Sequence, residues 1–107
     1  MPETNSRTAQ LKQIDAQQFV LSGELTMQSV PNIARESLEL INRMSGDIKI
    51  NLAQVVRADS AGLALLIDWL RHAQGNGFKL EFEHLPAQLL QIAKLSELHK
   101  LLPINNA

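Results

Sequence analysis

The chain has no cysteine and no tyrosine, and its aromatics are one tryptophan and three phenylalanines. Without cysteine there are no disulfide staples and no thiolate metal sites, which suits a reducing compartment. With aromatics at 4% and hydrophobics at 45%, the core is expected to be aliphatic, built from Leu, Ile, Val and Ala. A basic excess is missing too. Ten Lys and Arg against eleven Asp and Glu leave a formal charge of -1, so nothing draws the chain to a phosphate backbone and no nucleic-acid partner is expected. The longest apolar run, Ala61 to Ile67, is far short of the roughly 20 residues a membrane span needs. The opening MPETNSRTAQLKQ lacks the apolar stretch of a signal peptide. Direct membrane insertion is therefore not expected, and any membrane role must come through a partner.

What remains fits one domain of 107 residues. Residues 1–8 are polar and expected to be flexible, with the domain over 9–104. Leu11 to Ile14 and Gln18 to Glu24 read as strands about a turn at Asp15-Ala16-Gln17, the second stopping near Gly23. Ser29 and Pro31 mark a helix start. Ile33, Leu40 and Met44 form its apolar stripe, widened by Leu38 and Ile41 and interrupted by Ser37, and Gly46 ends it. Asp47 to Leu52 alternates as a strand. A helix from Ser60 closes at Gly75 to Gly77, and Phe78 to Phe82 is a strand. Pro86 opens a helix over Ala87 to Lys94. A helical turn in SELHKLL precedes Pro103, and residues 105–107 are expected to be loose. Strands alternating with helices imply an α/β fold, a sheet covered mainly on one face.

RADSAGLALLIDWL, residues 57–70, poses the functional question. Ser60 stands where a strand gives way to a helix. It is expected to be the N-cap, its hydroxyl accepting from amides one turn on, worth about 1 kcal/mol. The helix N-terminus also favours an anion, so Ser60 is a candidate phosphate acceptor, although Asp59 beside it opposes the charge. As a nucleophile Ser60 lacks a base. His72 lies twelve residues on, about 18 Å along the same helix, while His84 and His99 have no recognisable acid partner. No G-x-S-x-G elbow, glycine-rich phosphate loop or metal-ligand cluster occurs, so no catalytic residue, cofactor or metal is expected.

On a helical wheel Leu63, Leu66, Ile67, Leu70 and Ala73 cluster as the face expected to cover the sheet. Leu65 and Trp69, one turn apart, lie on a flank. The apolar arc is about twice the roughly 100° a surface helix needs. A neighbouring helix or a partner must cover the flank. Trp is a favoured interface anchor, so Leu65 and Trp69 are assigned to a docking surface.

INLAQVVRADSAGLALL resembles the central signature of STAS domains, the fold of anti-sigma factor antagonists. FVLSGELT resembles the family's second strand and following turn, and LPAQLLQIAKLSELHKLLP its C-terminal helix and leucine-rich ending. The resemblance runs from about Leu11 to Pro103. It implies a STAS-like mixed sheet of four to five strands with helices mainly on one face. LSGEL, GLALL and AKL with Leu98 beyond are most similar to the branch of small stand-alone STAS subunits of Mla phospholipid transporters. That branch implies a non-enzymatic cytoplasmic protein, peripheral to the inner membrane, which binds the ATPase subunit of an ABC transporter moving phospholipids between inner and outer membrane. Its partner-binding residues carry over to Asp59, Ser60, Ala61 and Gly62, joined by Leu65 and Trp69 from the wheel. Asp-Ser-Ala-Gly is equally at home among anti-sigma factor antagonists, where a partner serine kinase phosphorylates the serine. The alternative is such a switch, with Ser60 as its phosphate acceptor and an anti-sigma factor as partner.

Overall fold

Alternating apolar residues build the sheet. β1 (Gln10–Gln13) and β2 (Gln18–Leu25) form an antiparallel hairpin. Its turn is held by the Asp15 carboxylate, which accepts the Gln17 N–H at 2.9 Å, an Asx-turn at the expected place. β3 (Asp47–Ala58), β4 (Lys79–Glu83) and β5 (Ile104–Asn105) follow in spatial order, each parallel to its neighbour. The computed structural model describes residues 8–105.

Phe19, Leu21 and Leu25 of β2, Ile48, Ile50 and Leu52 of β3, and Leu80 and Phe82 of β4 are buried, while at the alternate positions Gln18, Lys49 and Lys79 are exposed and Val20, Asn51 and Glu81 half-buried. The helices α1 (Val30–Glu36), α2 (Leu38–Asn42), α3 (Ser60–Asn76) and α4 (Ala87–Leu95) supply Ile33, Ile41, Leu66, Leu89 and Ala93 to the same core. The helices thus cover one face, as expected, and each fully buried Leu or Ile contributes roughly 1.5–3 kcal/mol by its removal from water. The core is not purely aliphatic. Phe19, Trp69, Phe78 and Phe82, the chain's four aromatics, are all buried in it.

Several elements depart from the sequence reading. β3 runs six residues past Leu52. From Val20 to Ser22 its partners advance from Asn51 to Gln54, and from Gly23 to Glu24 they advance from Val55 to Arg57. Each step inserts one extra β3 residue, a bulge that breaks the period-2 pattern. β2 continues through Gly23 to Leu25. Gly23 has φ +91, and a Cβ there would collide with the Thr8 carbonyl, so only glycine serves. The first helix is divided at buried Ser37, the polar interruption, yet Ser37 N–H to Ile33 O and Ile41 N–H to Ser37 O, both 2.9 Å, carry the ladder across. The late helical turn is a 3-10 helix, Leu98–Lys100. Asn105, expected to be loose, pairs with Glu83 in β5. The rest of the expected loose ends, residues 1–7 and 106–107, lies outside the described residues.

Candidate functional site

The longer β3 decides how the Asp59-Ser60 step is used. The strand ends at Ala58, leaving Asp59 extended at φ -127 and ψ -166 and making Ser60 the first helical residue. The expectation that Ser60 caps the helix is thereby corrected. Asp59 is the N-cap, its Oδ1 accepting the Ala61 N–H at 2.8 Å. A carboxylate there satisfies an orphan amide and also meets the positive end of the helix dipole.

Asp59 is held on every polar atom. Its N–H donates to Leu25 O at 3.0 Å, and its carbonyl accepts from Gly62 N–H at 3.0 Å. Its Oδ2 accepts the N–H of Met27 at 3.2 Å. That Met27 lies in the β2–α1 turn, itself braced by Ser29, whose Oγ accepts the Thr26 N–H at 2.9 Å and donates to Glu24 O. Ser29 therefore occupies the expected helix start but ties the turn instead of capping α1. On the other side, Gln88 Oε1 of α4 accepts the Ala58 N–H at 2.9 Å. Three elements are thus pinned around one turn.

The Ser60 side chain is exposed, and its hydroxyl makes no hydrogen bond with a described residue. Asp59 and Ala61 are half-buried, and Gly62 is buried. A Cβ on Gly62 would stand 2.9 Å from Leu25 Cβ and 3.0 Å from Leu25 O, with Leu89 at 3.4 Å. Gly62 is thus what lets α3 lie against the end of β2, and it is a packing residue, not a contact residue.

Leu65 and Trp69, assigned to the docking surface from the wheel, are each 2% exposed and belong to the core. The inward face of α3 has a different centre from the one its wheel predicts. Gly62, Leu66, Trp69 and Ala73 face inward, whereas Ile67 and Leu70 are only half-buried. α3 contacts α1, α2 and α4 as well as the sheet, so a wide apolar arc is covered by its own domain. The exposed neighbours of Ser60 are residues the sequence reading passed over. Ala64, one turn on, is exposed, and so is Arg57 before the cap. Met27 is 74% exposed. An apolar side chain in the otherwise polar turn before Pro31 was its one available signal.

The chemistry open to this surface is limited. His72 of α3 lies 3.6 Å from Asp68, one turn away on its own exposed side. Among the described residues no group of His, Cys, Asp and Glu could hold a metal ion, and no helix is long and apolar enough to cross a membrane. What is built is a rigid display of one free hydroxyl beside an exposed methionine.

Comparison with known proteins places this geometry. The family model described as "Mlab, STAS domain" matches residues 9–103. The anti-sigma-B factor antagonist of Bacillus subtilis (strain 168) is 26% identical over 88 residues, covering 82% of this chain and 80% of that protein. A STAS domain anti-sigma factor antagonist from Planctomyces limnophilus superposes with a TM-score of 0.73 at 15% identity, over 94% of this chain and 91% of that one. The Bacillus cell fate determinant SpoIIAA in its phosphorylated form gives 0.69 at 18% identity, over 94% and 91%. Identities this low speak for the fold, and with the family match along nearly the whole domain they lead to one conclusion: the chain belongs to the STAS domain family.

Proposed function

We propose that the chain is a non-catalytic accessory subunit that docks on the ATPase of an ABC transporter moving phospholipids between inner and outer membrane. The observation that carries this reading is the family match described as "Mlab, STAS domain" along residues 9–103, and the exposed, unbonded hydroxyl of Ser60 on a turn tied by its neighbours supplies the surface. A preformed surface of this kind loses little conformational freedom on binding, which favours a protein partner. Ser60, Asp59 and Ala61 with Met27 and Ala64 form the contact. Binding the assembled ATPase stabilises that state by mass action. The cytoplasmic, inner-membrane-peripheral location follows from the partner. The family description "Mlab" supports this branch.

The second reading, an anti-sigma factor antagonist switched by a serine kinase at Ser60, has its own support in the Bacillus subtilis relative and in the phosphorylated form of SpoIIAA. Exposure of Ser60 suits it equally. Two measurements separate the readings. Deleting the protein from its host should make the outer membrane leaky to detergent, and Ser60→Arg, which blocks the surface without touching the core, should fail to restore it. Stoichiometric phosphate on native protein by intact mass, with an unaltered detergent barrier in the deletion strain, would instead establish the switch.

A further inference from the structure

β1 is the outermost strand of the sheet, paired with β2 on one side and with no strand on the other among the described residues. Along an antiparallel strand, successive residues turn their backbone groups to opposite sides. Ile14 donates its N–H to Gln18 O across the hairpin at 2.8 Å, so Lys12 and Gln10 face β2 as well. Leu11 and Gln13 therefore point their N–H and C=O away from the sheet. Gln13 is exposed and Leu11 half-buried, so this edge is open to a partner.

A groove follows the edge under α1 and α2. One stretch, about 360 Å³, is lined by Leu11, Lys12, Ile33, Glu36 and Leu40. The next, about 170 Å³, is lined by Gln13, Phe19, Leu40, Arg43 and Met44. Leu40 borders both, so it stands level with the Lys12–Gln13 step. Glu36, Leu40 and Arg43 are spaced i, i+4 and i+7, one stripe of the continuous helical ladder. Its two ends are exposed and opposite in charge, and its apolar centre is half-buried. Arg43 is paired only loosely, with Glu39 at 3.8 Å, and both side chains stand in water.

We propose that the β1 edge pairs with the same edge of a second copy, about a two-fold axis perpendicular to the sheet at Gln13. Such an axis sets the two edges antiparallel and keeps the helices of both copies on one face. Gln13 and the partner's Gln13 exchange both N–H···O bonds. Leu40 meets the partner's Leu40 over the axis, and Glu36 meets the partner's Arg43 on either side of it. A stripe with an anion at one end and a cation at the other complements its own antiparallel copy, which singles out a second copy as the occupant. Ile14, 54% exposed, comes opposite the partner's Lys12, whose methylene stem covers it. An axis at Lys12 would instead set that lysine against its own copy, a like-charge pair. The contact is smaller than the interface of an obligate dimer, so a weak, concentration-dependent dimer is expected. It leaves the Ser60 turn free. Gln13 lies beside Phe19, six residues and about 20 Å along β2 from Leu25, which holds that turn.

The test is sedimentation equilibrium of the full chain from about 10 μM to about 1 mM, with ¹⁵N spectra over the same range. The chain should pass from monomer to dimer, less readily at high salt, and the amide shifts that grow with concentration should include Gln13. Glu36→Arg and Arg43→Glu should each weaken the dimer about tenfold, and the two together should restore it. Gln13→Pro removes an N–H that β2 does not use and should weaken the dimer by about tenfold or more while the spectrum stays dispersed. A chain that stays monomeric throughout, a dimer indifferent to the charge variants or to Gln13→Pro, or shifts that avoid Gln13 would each overturn the proposal.

Discussion

The carboxylate of Asp59 accepts the backbone N–H of Met27, 32 residues earlier in the chain, at 3.2 Å. Its other oxygen caps α3 through Ala61 at 2.8 Å. One side chain thereby fixes the β2–α1 turn to the start of α3 and holds Ser60 in place between them.

Asp59 and not Ser60 carries the stability of this turn. Asp59→Ala should cost about 1–2 kcal/mol as a lost cap, with the Met27 amide unpaired in addition. Ser60→Ala should stay within about 0.5 kcal/mol, as for an exposed position without a special role. Urea denaturation of the two variants checks this. A larger loss for Ser60→Ala would return the capping role to the serine.

Trp69 and Leu65 are core. Trp69→Ala should lose about 3–5 kcal/mol and Leu65→Ala about 2–5 kcal/mol, as large-to-small changes at buried sites. Partner affinity per folded molecule should be unchanged. Calorimetry paired with a binding titration distinguishes this from an interface role, which predicts the reverse pattern.

Gly62 is a point of close approach. Gly62→Ala gains up to about 1 kcal/mol of helix propensity but places a Cβ 2.9 Å from Leu25 Cβ and 3.0 Å from its carbonyl. Overpacking of this kind costs about 1–3 kcal/mol, so a net loss is expected. Gly62→Val has a larger side chain and less propensity to gain, and should melt lower still. A thermal melt of Gly62→Ala at or above the parent temperature would show that Leu25 yields easily.

Much of this architecture was legible in local pattern. Ile48, Ile50 and Leu52 announced β3, Pro86 the start of α4, and Asp-Ser-Ala-Gly the strand-to-helix turn. Features set by distant pairing were not. The β3 bulges exist only against β2, and Asp59 became the cap because they carried the strand on to Ala58. Two adjacent residues able to cap cannot be ranked until the strand's end is known. The inward face of α3 is not legible on a wheel because its centre is Gly62, which has no side chain to mark it, while its fit against Leu25 sets the helix's rotation. β5 is two residues long and held by β4 alone, too short for any periodicity.

Met27 extends the contact surface around Ser60. It is 74% exposed on a turn fixed through Asp59, and methionine adapts well to a partner's surface. Met27→Glu should leave stability within about 0.5 kcal/mol and weaken partner binding by about tenfold or more, equivalent to about 1.4 kcal/mol. Isothermal titration with the partner reads both affinity and stoichiometry. An unchanged affinity would remove Met27 from the surface.

The most direct test is co-expression of the tagged chain with the lipid-transporter ATPase and the sigma-regulatory serine kinase of its own host, followed by affinity purification. The account predicts that the ATPase co-purifies in stoichiometric amount with unphosphorylated Ser60, and that Ser60→Arg releases it while the variant stays folded. Retention of the kinase with the ATPase absent would contradict it and make Ser60 the acceptor of a phosphorylation switch.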